Sequence, residues 1–239
     1  MKLTYFVFLF LFSSIVHSSE LLENAKEDVI SPFTTDALVI LEVGGGLTFL
    51  TFFLKKGSFE SDIASSQPLG KLAKIGYFLG QAVPNIAYAL IMGGDYLLNK
   101  NEKSLDRTVL ITKATLYSDA MTEILKRGVD EKRPNGGTLA FPSGHATCAF
   151  AFSSVIMMEH SLSWGIAANT MAAFVGFSRM NDNAHYLHDV IAGATIGTMY
   201  GVGLYYTQKK REETKKDNTT VFMLLPTQDG LVGNISSSF

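Results

Sequence analysis

The 239-residue chain contains one cysteine, Cys148, and that scarcity removes several chemistries at once. A single cysteine allows no intramolecular disulfide and no cysteine-built metal site. Its setting in "HATCAFAFSSVIMM" makes it a small buried hydrophobe, so thiol catalysis is not expected. The chain also lacks an excess of positive charge: 20 Lys+Arg stand against 22 Asp+Glu, a formal net charge of −2. Nucleic-acid binding needs a strongly basic face, so no nucleic-acid partner is expected. No internal repeat period is visible. Hydrophobic content of 47% with 18% charged residues leaves open whether a membrane is involved.

What is present begins at the N-terminus. "MKLTYFVFLFLFSSIVHSSE" has a basic start at Lys2, an apolar run from Leu3 to Phe12, and Val16 and Ser18 at the −3 and −1 positions of a cut before Ser19. This layout predicts a secretory signal peptide over residues 1–18, with an uncleaved anchor as the alternative. No cysteine stands at the cut, so a lipoprotein anchor is not expected. Residues 19–207 then form a helical domain, and 208–239 a charged linker, "QKKREETKKDNTT", followed by a tail. The tail has two β-leaning arms around Asp229-Gly230, which predicts a short hairpin.

Between these ends the pattern is mostly α. An apolar stretch from Ala37 to Leu54 is interrupted by Glu42 and the Gly44-Gly45-Gly46 triplet. A helix over about 75–98 should be kinked at Pro84. Apolar residues Leu110, Ala114, Tyr117, Met121 and Leu125 recur at helical spacing over 107–126. Further helices are predicted over 144–159, 163–178 and 187–207, giving six in all.

Two clusters carry chemistry. The first, "KRGVDEKRPNGGTLAFPSGH", gathers four Lys/Arg side chains before an apolar helix. Lys126 and Arg127 close one helix, where the dipole favours positive charge. Ser143 caps the next, with Gly144 and His145 in its first turn. A helix start with free N–H groups binds anions, and Lys126 and Arg133 would strengthen such a site for phosphate. Arg127 and Lys132 read as solvated charges. The second cluster, "SRMNDNAHYLHDVIAGATIG", ends a helix at Arg179 and places His185 four residues before Asp189. On a helical face that spacing lets the carboxylate fix the imidazole tautomer and leave the other nitrogen as nucleophile or ligand, although a purely structural pair has the same spacing. His188 points to another face and reads as a supporting or structural residue. His160, beside Glu159 at a helix end, reads as a surface residue.

Taken together, the spacing is far more specific. Lys126, six residues, Arg133-Pro134; Pro142-Ser143-Gly144-His145; Ser178-Arg179, five residues, His185, three residues, Asp189: this resembles the three-part signature of the type 2 phosphatidic acid phosphatase superfamily, which includes bacterial class A acid phosphatases and vanadium haloperoxidases. Only seven residues separate Pro134 from Pro142, a short loop that bears on substrate size. The resemblance implies an all-α, six-helix bundle of the acid phosphatase/haloperoxidase type. It further implies a metal-independent phosphomonoesterase with no cofactor. His185 would attack phosphorus and form a phosphohistidine, Asp189 would hold its ring, and His145 would act as acid and then base. Lys126, Arg133, Arg179, Ser143 and Gly144 would bind the phosphate oxygens.

The leading expectation is an exported, periplasm-facing enzyme for phosphate monoesters. The 32 residues between His145 and Ser178 leave about fifteen per helix, short of the roughly twenty a bilayer span needs. Lipid exposure would also penalise Arg107, Lys113, Asp119 and Glu123. The alternative is an integral-membrane lipid phosphatase acting on phosphatidate, polyprenyl phosphate or lipid A phosphate, with its site facing the periplasm. Vanadium-dependent halide oxidation and non-catalytic anion binding are weaker readings, the latter because His145 and His185 are both intact.

Overall fold

The computed structural model describes residues 24–53, 59–217, 220–227 and 230–237. The predicted export signal at 1–18 lies outside them. In order along the chain come α1 (Ala25–Thr34), α2 (Leu38–Phe53), α3 (Phe59–Ser66), a 3₁₀ turn (Gly70–Leu72), α4 (Ala73–Leu79), α5 (Val83–Asn99), α6 (Glu102–Val129), α7 (Gly144–Glu159), α8 (Leu162–Asn181) and α9 (Leu187–Asp217). Two strands, β1 (Thr220–Thr227) and β2 (Gly230–Ser237), pair antiparallel with Thr227 opposite Gly230. The body is thus all-helical, with nine α-helices among the described residues where the hydrophobic pattern predicts six.

The extra helices have local causes. The segment expected as one kinked helix over 75–98 is two helices. α4 ends at Leu79, capped by Gly80; Ala82 takes a left-handed conformation (φ 61°) immediately before α5, and Pro84 sits in the first turn of α5, where its missing N–H costs nothing. The two arms meet at 45°. At the other end, the charge run expected as a linker continues α9 through Asp217. Within it Lys209 pairs with Glu212 across one turn, and Arg211 reaches Glu27 and Asp28 on α1. A run of mixed sign can therefore extend a helix, because its charges find partners at helical spacing and on a neighbouring element.

The core is built where α6, α7 and α9 meet, from Leu110, Ile111, Ala114, Val155, Ile196, Met199, Tyr200 and Leu204. α9 packs on α7 through Gly193, Gly197 and Gly201, one helical turn apart. A Cβ at Gly193 would strike the Ser143 carbonyl, and one at Gly197 would strike the Thr147 carbonyl and lie 2.7 Å from the Ala151 nitrogen. Only glycine admits this backbone-on-backbone approach. Gly197→Val is therefore expected to destabilise the fold by about 3 kcal/mol, at the upper end of overpacking effects, read as a lowered thermal midpoint by circular dichroism.

Lys113 does not face lipid or water. Its Nζ lies 2.8 Å from Asp28 Oδ2, and Asp28 Oδ1 lies 2.8 Å from Arg211 Nη1, so a buried carboxylate ties α1 to α6 and α9. That pairing removes Lys113 from the argument against a membrane. The outer surface favours one. Val39, Val43, Phe49 and Phe53 on α2, Phe78 on α4, Ile91 and Leu98 on α5 and Trp164 on α8 are all more than half exposed. So extensive an apolar surface exceeds what a monomer in water normally presents. Among the described residues no single helix is long and apolar enough to cross a membrane. Two bent pairs, α1 with α2 (64°) and the 3₁₀ turn and α4 with α5, are so in combination.

Candidate active site

The two clusters identified in the sequence converge at one end of the bundle, with Arg133 placed by a loop and the others at or beside a helix end. α6 stops where Asp130 turns left-handed and returns its N–H to the Lys126 carbonyl. The following loop is short enough to close on itself. Gly136 donates to the Arg133 carbonyl, Arg133 to the Gly137 carbonyl, and Ala140 to the Glu131 carbonyl. Ser143 then caps α7, its Oγ accepting from the Ala146 N–H at 3.5 Å. The Ser143 N–H donates to the Asp189 carbonyl (2.9 Å), which fixes the start of α7 against the start of α9.

His185 is not on a helix, as its spacing to Asp189 suggests, but two residues before α9 begins. Asp189 occupies the third position of α9, and its Oδ2 accepts the Tyr186 N–H at 2.9 Å, as acidic side chains in a capping box do. The same oxygen lies 3.3 Å from His185 Nδ1. The contact expected from helical spacing is thus made by a capping carboxylate reaching backwards. Both side chains are essentially inaccessible to water.

The cations surround this pair. Lys126 Nζ donates to the carbonyls of Leu139 (3.0 Å) and Pro142 (2.7 Å), which leaves its third hydrogen for an anion. Arg133 Nε holds the Thr138 carbonyl at 3.0 Å. Arg179 uses Nε and Nη2 on Ser178 Oγ (3.1 and 3.0 Å), and Nη2 also meets Asp182 Oδ2 at 2.8 Å. Its Nη1 is left to reach a bound oxyanion. His145 Nε2 is buried and has no hydrogen-bond partner among the described residues.

The electrostatics follow from burial and crowding. Burial, followed by the charges of Arg179, His185, Arg133 and Lys126, pushes the His145 imidazole down to about 3. The same causes hold His185 well below the usual imidazole range, with Arg133 the largest charge acting on it. Burial, then Arg133, lowers Lys126 to about 8. Burial raises Asp189 to about 7 against the opposing pull of His188. Without an anion the pocket is short of negative charge, and a phosphate supplies it.

Three residues here carry no recognisable mark in the sequence. Tyr77 on α4 packs its ring 4.9 Å from the His145 ring and 5.0 Å from the Arg179 guanidinium carbon. Gly80 makes room for that arrangement, since a Cβ there would come within 2.7 Å of His145. Glu131, an acid inside the basic run, meets His188 Nε2 at 3.0 Å. Glu131, His188 and Asp189 are close enough to suggest a cation site. His188 Nε2, however, hydrogen-bonds Glu131 Oε2 and lies 3.3 Å from Asp189 Oδ1, and an N–H in that position offers no lone pair to a cation. Away from the pocket, His160 is half-buried and bonds the Tyr88 hydroxyl at 2.8 Å, where the sequence suggests a surface residue.

Comparison with known proteins agrees with this constellation. A family model described as the PAP2 superfamily matches residues 121–213. The lipid A 1-phosphatase of Porphyromonas gingivalis is 37% identical over 98 residues, covering 36% of this chain. The chain spans only 22% of that protein's length. Among solved structures, LpxE of Aquifex aeolicus is 18% identical with a TM-score of 0.42, over 67% of this chain and 93% of that one. The transmembrane PAP2-type phosphatidylglycerolphosphate phosphatase of Bacillus subtilis is also 18% identical, with a TM-score of 0.40, over 78% and 91%. The matched segment begins just before Lys126 and carries every one of the convergent cations and imidazoles, and over that segment the chain is similar to the PAP2 superfamily, the type 2 phosphatidic acid phosphatases.

Proposed function

We propose that the protein is a phosphatase for phosphate monoesters of lipids, working through a phosphohistidine on His185 without a metal. The observation that carries this is the buried His185–Asp189 pair with Lys126, Arg133, Arg179 and His145 gathered around it. Asp189 takes the Nδ1 hydrogen, so Nε2 bears the lone pair that attacks phosphorus. As the N–P bond forms, the P–O bond to the leaving group breaks, and His145 gives its proton to the departing alkoxide. His145 then removes a proton from water, whose oxygen displaces His185 and releases inorganic phosphate. Lys126, Arg133, Arg179 and the N–H of Gly144 neutralise the equatorial oxygens, with Ser143 capping the helix start beneath them. The dianionic substrate offsets the cations that strip His145 of its proton in the empty pocket, so binding loads the general acid.

The lipid preference rests on the apolar rim. Phe53 and Phe78 lie more than half exposed on α2 and α4, the helices that bring Phe52 and Tyr77 to the site. A substrate with an acyl or prenyl body would lie along this rim with its phosphate in the pocket. The lipid A 1-phosphatase that matches the site segment makes lipid A phosphates one candidate class. This reading replaces the exported soluble phosphomonoesterase as the leading one. In it residues 19–207 are the phosphatase unit, carried to the membrane by the N-terminal segment and the two bent helix pairs.

The test is hydrolysis of a lipid phosphate monoester in mixed micelles against p-nitrophenyl phosphate, both in EDTA. We expect turnover of both, with kcat/KM at least about tenfold higher for the lipid. Equal or better use of the soluble ester would return the soluble reading, and activity that requires added metal would remove the mechanism.

A further inference from the structure

His188 lies outside the motif yet is as deeply buried as the nucleophile, at 1% exposure. Its ring is sandwiched by Tyr186 (5.4 Å, 9°) and Phe141 (6.1 Å, 25°), with the edge of Phe52 at 5.2 Å. Its Nε2 faces two acceptors, Glu131 Oε2 at 3.0 Å and Asp189 Oδ1 at 3.3 Å. A lone pair between two carboxylates would be repelled by both, so Nε2 carries hydrogen. Asp189 Oδ2 is held by the Tyr186 N–H and His185, while Oδ1 is buried without a hydrogen-bond partner and lies 3.3 Å from His188 Nε2.

We propose that His188, its ring held by Glu131, is a positioning residue for the nucleophile: it fixes the free oxygen of Asp189, keeping that carboxylate charged and aimed at His185 Nδ1. This inference rests on the His185 reading above and adds a residue to it. The groups around Asp189 make the need specific. From α6 comes the Lys126 ammonium, already committed to two carbonyls. From the loop comes Glu131, whose charge opposes ionisation of Asp189. From α2 and the loop before α7 come the rings of Phe52 and Phe141, packed on His188. His188 Nε2 is the polar atom that faces Oδ1, at 3.3 Å, and it exerts the largest charge effect that keeps Asp189 ionised. Glu131 in turn anchors His188 to the loop that carries Arg133, since the Glu131 carbonyl takes the Ala140 N–H.

Two substitutions separate the donor from the packing. His188→Phe keeps an aromatic ring in the stack and removes the hydrogen. His188→Gln keeps an amide N–H in place of Nε2 and removes the ring. Hydrolysis of p-nitrophenyl phosphate in EDTA is followed against pH, with thermal midpoints recorded. We expect His188→Phe to lose ten- to a hundredfold in kcat with KM little changed, the range for a hydrogen bond to a charged group. Its acid limb should move to higher pH, because Asp189 without its donor keeps its proton longer. His188→Gln should recover most of kcat despite its poorer stacking. A normal profile in His188→Phe, an equal loss in both variants, or a loss confined to His188→Gln would assign His188 to packing and overturn the proposal. His185→Gln, run alongside, keeps the two ideas apart: wild-type turnover that this variant abolishes upholds the mechanism whatever His188 does. Wild-type enzyme without EDTA-resistant turnover sinks the mechanism itself.

Discussion

His185→Gln is expected to lower kcat for any phosphate monoester by at least about a thousandfold, the scale on which nucleophile replacements act. Glutamine fills a similar volume and can still meet Asp189, so the pocket and its cations stay in place. What it lacks is a ring nitrogen whose lone pair can bond phosphorus while the opposite nitrogen holds a hydrogen against Asp189 Oδ2 at 3.3 Å. Steady-state rates give the loss. Rapid quench with radiolabelled substrate gives the reason: wild type should yield an acid-labile, base-stable phosphoenzyme, and the variant none. A labelled intermediate that survives His185→Gln would move the nucleophile elsewhere. The wild-type pH profile carries the same signature. Asp189 must be charged to hold the ring, and burial pushes its carboxyl up to about 7, so the rate should fall as pH drops below that value. A maximum near pH 5 would contradict the assignment.

Arg179→Lys is expected to cost on the order of a hundredfold or more in kcat/KM, although the formal charge is kept. The guanidinium does three things that one ammonium cannot. Nε and Nη2 grip Ser178 Oγ, Nη2 grips Asp182, and the plane packs on Tyr77, which together aim Nη1 at the pocket. A lysine has one nitrogen for these tasks and for the phosphate oxygen. The measurement is kcat/KM together with inhibition by vanadate, whose trigonal-bipyramidal form mimics the transition state. Vanadate should weaken in step with catalysis, and a variant that loses rate but keeps vanadate affinity would place Arg179 outside the oxyanion clamp.

Much of this site was legible because its residues are few, chemically distinct and fixed by short spacing. Lys126, Ser143, Gly144, His145, Arg179, His185 and Asp189 stand at or beside a helix end, where sequence signals are strong, and Arg133 lies in the short loop between two of them. The structure brings them near one another at one end of the bundle. The partners that remained hidden are separated along the chain or disguised by their surroundings. Glu131 and His188 meet across 57 positions, and an acid within a basic run looks like one more solvated charge. Tyr77 sits among apolar helix residues, where an aromatic ring is the expected filler. The same limit applies to the fold. Helical periodicity marked the long helices, but not that one of them would break between Leu79 and Val83. Nor could it show that Asp28 would hold Lys113 and Arg211 in place, since one carboxylate gathers charges from two other helices.

The glycine seam between α7 and α9 has a consequence for substrate range. His145 rides on the first turn of α7, and His185 is bound through Asp189 to the first turn of α9. With Gly193 against Ser143 and Gly197 against Thr147, the two helices meet backbone to backbone, with no compressible side chain between them. In the proposed mechanism the gap between proton donor and attacking nitrogen is therefore a machined dimension of the scaffold, insensitive to what the phosphoryl group is attached to. Tolerance for different esters has to reside on the opposite wall, where α4 is a two-turn helix joined through a sharp bend to α5. The enzyme is a fixed die with one adjustable jaw, and Tyr77 is the face of that jaw.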